Sequence, residues 1–176
     1  MHLFYSSGLE SERVGIADFK VSNNPDRVLV SGWLGAGLGL TAFDPVVGVA
    51  GLLHVPLLDS SSARIQARER PALFLDTALP SLFQAMTRLG AQETRLILCV
   101  AGGGRVWNRT APPAPGPEMI PAALEMLAQR KLQCPARRPS ISDDCCCSLE
   151  VATGEVRLKL SGLAEVMVLW KNSIAS

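Results

Sequence analysis

The chain has 176 residues, and its 17 Lys and Arg stand against 16 Asp and Glu, so no net field draws it to nucleic acid or to an anionic membrane. With 48% hydrophobic and 19% charged residues it falls outside the disordered class, and it is long enough to bury one core without disulfide or metal staples. The opening Met1-His2-Leu3-Phe4-Tyr5-Ser6 lacks the charged segment and apolar run of a secretory signal. No later stretch approaches the length of a membrane span, so a cytoplasmic location without membrane insertion is expected.

Val14 to Val21 has the short apolar alternation of a strand and runs into the dense turn signal Ser22-Asn23-Asn24-Pro25-Asp26. Arg27 to Ser31 reads as a second strand. The following Gly32-Trp33-Leu34-Gly35-Ala36-Gly37 places three glycines among six residues, a composition suited to tight turns or to close approach of a ligand. Leu38 to Phe43 and Val46 to Leu53 flank Asp44-Pro45 and predict a hairpin of two largely buried strands, with His54 at its end.

Ser60 to Arg70 is polar enough to predict an exposed loop. From Pro71 to Leu89 the apolar residues Leu75, Leu79, Leu82, Phe83, Met86 and Leu89 follow helical spacing, with Gly90 suited to a C-terminal cap. Pro80 removes one helix hydrogen bond and crowds the preceding turn, so a kink or a late start is expected. Thr94 to Ala101 predicts a strand leading into Gly102-Gly103-Gly104. Ala111 to Pro117 is too proline-rich for regular structure, and Met119 to Lys131 predicts a second helix. Pro135 to Ser142 reads as irregular. Cys145 to Val151 and Glu155 to Leu160 predict a closing hairpin around Ala152-Thr153-Gly154, and the apolar tail from Gly162 to Trp170 suits a last strand. No internal repeat and no long linker divides the chain, so residues 1–176 are expected to form a single domain.

The five cysteines are Cys99, Cys134 and the run Cys145-Cys146-Cys147. An odd count with three adjacent does not make a secreted disulfide framework and points to a reducing compartment. The run could ligate a soft metal, but zinc sites space their ligands and add a second pair; no metal is expected. On a strand, alternate members would face the core as small hydrophobes, with Cys146 pointing outward. No phosphate loop, dinucleotide fingerprint or Gly-x-Ser-x-Gly elbow is present, so no cofactor is implied. Of the two histidines only His54 lies in an ordered apolar context where a perturbed pKa and a fixed orientation are possible. A lone histidine at a strand end is more often structural than catalytic.

The order of elements is more telling than any one of them. A Gly-rich turn after a strand, a hairpin through Asp44-Pro45, His54 followed by Leu57-Leu58-Asp59, Leu75-Asp76-Thr77-Ala78 opening a helix and Val100-Ala101-Gly102-Gly103 come in the order of the CheD family. With Val14-Gly15-Ile16 and Thr153-Gly154 the resemblance spans roughly residues 13–160. It implies an α+β fold with a β-sandwich-like core of mixed strands flanked by helices. It also implies hydrolysis of receptor glutamine amides by a threonine that begins the Gly-rich loop, a cysteine that ends it and a histidine that ends the next hairpin. In that chemistry a thiolate attacks the amide carbon while an imidazole activates it and then protonates departing ammonia. The three positions fall on Ser31, Gly37 and His54, so the nucleophile is missing.

Gly35, Ala36 and Asp76 are the expected substrate-binding positions. Chemoreceptor cytoplasmic helices and a CheC-type phosphatase are the partners that the resemblance implies, and nucleic acid is not among them. Ser140 to Cys147 departs from the family's Gly-Gly and Arg-rich segment, and Pro115-Gly116-Pro117-Glu118 from its asparagine-bearing turn. Cys99, inside an apolar strand, is no substitute nucleophile. Two other readings are a divergent amidohydrolase that uses water with His54 and Ser31, and a structural or metal-binding domain outside chemotaxis.

Overall fold

The computed structural model describes residues 5, 8–104, 116–139 and 144–171. Its strands are β1 (Glu10–Val14), β2 (Asp18–Ser22), β3 (Arg27–Ser31), β4 (Leu38–Asp44), β5 (Val49–Val55), β6 (Ile97–Gly102), β7 (Ala136–Pro139), β8 (Cys145–Glu150), β9 (Val156–Leu160) and β10 (Val166–Trp170). The α-helices are α1 (Arg64–Glu69), α2 (Leu75–Arg88) and α3 (Gly116–Gln129).

Two five-stranded mixed sheets result, with orders β1-β3-β8-β9-β10 and β2-β5-β4-β6-β7. Pairing is antiparallel except at β1 with β3 and β6 with β7, which run parallel. Strand alternation then divides the apolar side chains between two cores. Leu29, Cys145, Cys147, Leu149 and Leu158 of the first sheet meet Phe43, Ala50, Leu52, Cys99 and Ala101 of the second. On the far face of the second sheet Leu40, Val49, Leu53, Leu98 and Val100 pack against Leu79, Leu82, Phe83 and Met86 of α2 and Met119, Ala123 and Leu127 of α3. Each such Leu or Phe, fully withdrawn from water, contributes roughly 1.5–3 kcal/mol before chain entropy is counted. The α+β sandwich expected from the resemblance is therefore what the chain forms, with α2 and α3 on one outer face.

Helix α2 follows the predicted apolar spacing but starts at Leu75, after a 3-10 turn over Pro71–Leu73. Pro80 stays inside the helix, as Pro121 does in α3. The late start puts Pro80 in the second turn, where it forfeits one bond to the Asp76 carbonyl. Gly90 ends the helix in the left-handed region at φ 94° and donates its N–H to the Thr87 carbonyl.

Four local expectations need correction. The strand foreseen over 14–21 is two strands in different sheets, broken at Ala17, which takes φ 56°. The loop foreseen over 60–70 contains α1, held by one buried residue, Ala67. The irregular stretch after Pro135 contains β7, which pairs with β6 through Cys99–Ala136 to Gly102–Pro139. Cys146 does point away from Cys145 and Cys147, yet it is buried against Val28 and Val30. Most of the proline-rich stretch 111–117, at 111–115, and half of the segment 140–147 that departs from the family pattern, at 140–143, lie outside the described residues.

Candidate active site

The Gly-rich loop between β3 and β4 lies at one end of the sandwich, against the C-terminal end of β5 and the turn after β6. Its first half is tied to the first sheet: the Leu34 N–H donates to the Cys145 carbonyl at 2.9 Å and the Gly35 N–H to Oδ1 of Asp144 at 2.7 Å. Its second half is tied to the β6 turn, where the Gly103 N–H donates to the Gly37 carbonyl at 2.8 Å and the Gly104 N–H to the Gly35 carbonyl at 3.0 Å. Gly35 takes φ 54°, a left-handed turn that a Cβ would disfavour, and the Gly37 N–H closes the turn onto the Leu34 carbonyl at 2.8 Å.

These bonds aim the Cα of Gly37 at the end of β5. A Cβ built there would lie 3.4 Å from Nε2 of His54, 2.9 Å from the Val55 carbonyl oxygen and 3.0 Å from that of Leu34. A side chain at position 37 would therefore start within reach of the imidazole, and in a crowded place. His54 is buried at 1% exposure, and its Nδ1 has no hydrogen-bond partner among the described residues. Burial holds its pKa below the ordinary value, opposed by the Leu34 backbone and the Asp144 carboxylate. The imidazole is accordingly neutral at physiological pH, the form that a general base requires.

Ser31, at the end of β3, is turned to other work. Its hydroxyl donates to the Gly32 carbonyl at 2.8 Å and accepts the Cys147 N–H at 2.9 Å, inside the fold at 0% exposure. Neither bond reaches His54. Ala36 is half-buried in the loop beside Gly35. Asp76 lies in the first turn of α2, where its Oδ2 accepts the Ser60 N–H at 3.0 Å and the Ser60 hydroxyl at 2.8 Å, while Oδ1 is buried without a partner among the described residues. The structure thus brings Gly35, Gly37 and His54 together with Ala36 in the same loop. Ser31 is on the neighbouring strand end, and Asp76 tethers the segment that follows β5.

The thiols offer no replacement for a side chain at 37. Burial pushes Cys99, Cys145 and Cys147 up to about 12 and Cys146 to about 11, which leaves the reactive thiolate negligible at neutral pH. Asp144 is the site residue that the sequence did not single out.

Residues 57–160 match the family model described as CheD chemotactic sensory transduction. The chain is also 37% identical over 149 residues to the probable chemoreceptor glutamine deamidase CheD 1 of Syntrophus aciditrophicus, a match over 85% of this chain and 93% of that protein. The chain belongs to the CheD family. Probable chemoreceptor glutamine deamidases of Solibacter usitatus and Symbiobacterium thermophilum are 37% and 42% identical over 58% and 54% of this chain, and those matches take in 61% and 57% of their own lengths. The stretch matched by the CheD model begins three residues after His54, so Ser31, Gly37 and His54 lie ahead of it. This CheD chain is thus a chemotaxis-family protein related to receptor deamidases, and among the described residues no helix is long and apolar enough to cross a membrane.

Proposed function

We propose that this chain is a catalytically silent CheD protein of the cytoplasm that acts by binding, either to chemoreceptor helices or to a CheC-type phosphatase, and not by deamidating receptor glutamine. The observation that carries this is the direction of the Gly37 Cα. The position that the resemblance gives to the nucleophilic cysteine faces Nε2 of a neutral, buried histidine and bears no side chain. Without a thiolate no thioester forms, and the covalent route has no first step.

The rim of the site supports binding to a protein surface. Ile16, Trp33 and Leu57 are 67%, 44% and 37% exposed. They come from three segments that adjoin the site: the turn whose Ala17 N–H bonds the His54 carbonyl, the Gly-rich loop itself and the stretch just after β5. Large apolar side chains left in water are a common mark of protein contacts.

The amidohydrolase reading that pairs His54 with Ser31 has less behind it, because the Ser31 hydroxyl is already bonded to Gly32 and Cys147. A metal-binding role for Cys145 to Cys147 is similarly unsupported, since the buried run faces opposite sides of β8.

The deciding experiment is mass spectrometry of receptor cytoplasmic fragments incubated with the unmodified protein and, in parallel, with Gly37→Cys. Retention of the fragment with no glutamine converted is expected from the unmodified chain. Conversion by Gly37→Cys alone would show a site intact but for its nucleophile. Conversion by the unmodified chain would overturn the reading.

A further inference from the structure

Asp144 belongs to one of the segments that the sequence sets apart from the family pattern, and it reaches the candidate site through the Gly-rich loop. It stands immediately before β8 and is half-buried. Two reciprocal bonds fix its backbone to the end of β9: its N–H donates to the Ser161 hydroxyl at 3.0 Å, and the Ser161 N–H donates to its carbonyl at 2.7 Å. With the main chain held, the carboxylate has a set direction. Its Oδ1 accepts the Cys145 N–H at 2.8 Å and, from 109 positions away in sequence, the Gly35 N–H at 2.7 Å.

The second bond is a charge-assisted link from the Gly-rich loop to the first sheet, made at the residue whose left-handed turn redirects the loop. It acts beside the Leu34 to Cys145 backbone bond, so the loop is gripped at two successive residues. Two residues on is Gly37, whose Cα faces His54.

We propose that Asp144 is the positioning residue of this site: its carboxylate pins the Gly35 turn to the start of β8, sets the direction of position 37 and brings a negative charge to the loop that turns Gly37 toward His54. The inference rests on reading the Gly37 and His54 pair as the site, but it requires no catalysis. The influence of Asp144 on the protonation of His54 has the sign expected of a nearby anion. Asp18 is the cross-strand partner of His54 on β2, but its carboxylate is paired with Lys20 at 3.4 Å. Asp144 is the carboxylate that the loop against the ring holds directly, through the Gly35 N–H.

The test is NMR on the full chain and on Asp144→Asn and Asp144→Ala, following the backbone amides of Gly35 and Gly37 and the ring signals of His54 through a pH titration. Asp144→Asn keeps an acceptor oxygen and loses the charge. The Gly35 amide should stay protected, while the apparent pKa of His54 moves down. Asp144→Ala loses both, so the Gly35 amide should exchange about tenfold faster or more, with the same downward move of His54.

A merely structural Asp144 would loosen the loop in the alanine variant yet leave the histidine titration unmoved in Asp144→Asn, and that result would overturn the proposal. Unchanged Gly35 exchange in Asp144→Ala would overturn it equally. If the alanine variant does not fold, the asparagine variant decides alone. Neither readout depends on whether receptor glutamine is converted, so failure here and failure of the silent-enzyme reading are distinguishable.

Discussion

The Cα of Gly37 points its missing side chain at Nε2 of His54, with a built Cβ 3.4 Å from that nitrogen. Two elements meet to make this relationship, the Gly-rich loop after β3 and the last residues of β5. The crowding there has a consequence. The same Cβ would be 2.9 Å from the Val55 carbonyl oxygen and 3.0 Å from that of Leu34, so a side chain here requires the backbone around it to shift.

Gly37→Cys should therefore fold at a cost of about 1–3 kcal/mol, the usual range for an added atom in a tight place, read from urea unfolding. It should also add one fast-reacting thiol. The native Cys99, Cys145, Cys146 and Cys147 are buried with pKa values pushed up to between about 11 and about 12, and burial raises Cys134 too. Alkylation near neutral pH followed by intact mass should show one extra equivalent in the variant before the native protein gains any. An added thiol as slow as the core thiols would mean that His54 does not reach it.

Ser31→Ala separates a structural hydroxyl from a catalytic one. Removing Oγ leaves the buried Cys147 N–H without its acceptor, a loss of about 1–3 kcal/mol. Because no bond runs from Ser31 to His54, the histidine titration should be unchanged. A shift in the His54 pKa on this substitution would revive the Ser31 and His54 pair.

The pH dependence of stability follows from His54. Its folded pKa lies below the ordinary 6.5 because it is buried, so below 6.5 the unfolded chain takes up a proton that the folded chain refuses. The associated stability is fully present above 6.5 and is lost as pH falls from there through the lowered folded value. Thermal unfolding between about pH 7 and pH 5 should show this decline, and His54→Phe should flatten it. An identical slope in the variant would place the titration elsewhere.

Much of this architecture was legible because local pattern and final burial agree. Arg27 to Ser31 forms the strand that its apolar run predicts, and α2 buries Leu75, Leu79, Leu82, Phe83 and Met86 as their spacing requires. What escaped was decided by distant partners. The Ala-Arg-Arg-Pro of β7 has no apolar alternation and becomes a strand because the edge of β6 is there to pair with it. The break between β1 and β2 turns on a left-handed Ala17, which nothing in its residue type announces. Gly37 and His54 were found through resemblance, and the loop geometry brings them together. Asp144 was passed over, since its link to Gly35 spans 109 positions and leaves no local pattern.

Asp44 gives a further prediction, away from the site but bearing on β4 and on its partner β5, which carries His54. It is fully buried at the end of β4 and accepts the Val46 N–H at 3.0 Å and the Gln92 N–H at 2.9 Å, with Arg95 bonded to it through Nη2 at 2.7 Å. Burial alone would raise its pKa; the Arg95 bond and the two backbone N–H groups outweigh that, and the carboxyl is held below its ordinary 3.8. It therefore stays ionised until strongly acid pH, and its contribution to stability is present above 3.8 and lost as pH falls through the lowered value. Asp44→Ala should cost about 3–5 kcal/mol, because it leaves Arg95 and two N–H donors without their acceptor. Urea unfolding at neutral pH measures the loss. Asp44→Asn, which keeps an acceptor, should retain part of it, and a variant as stable as the native chain would show that the β4–β5 hairpin stands without this clasp.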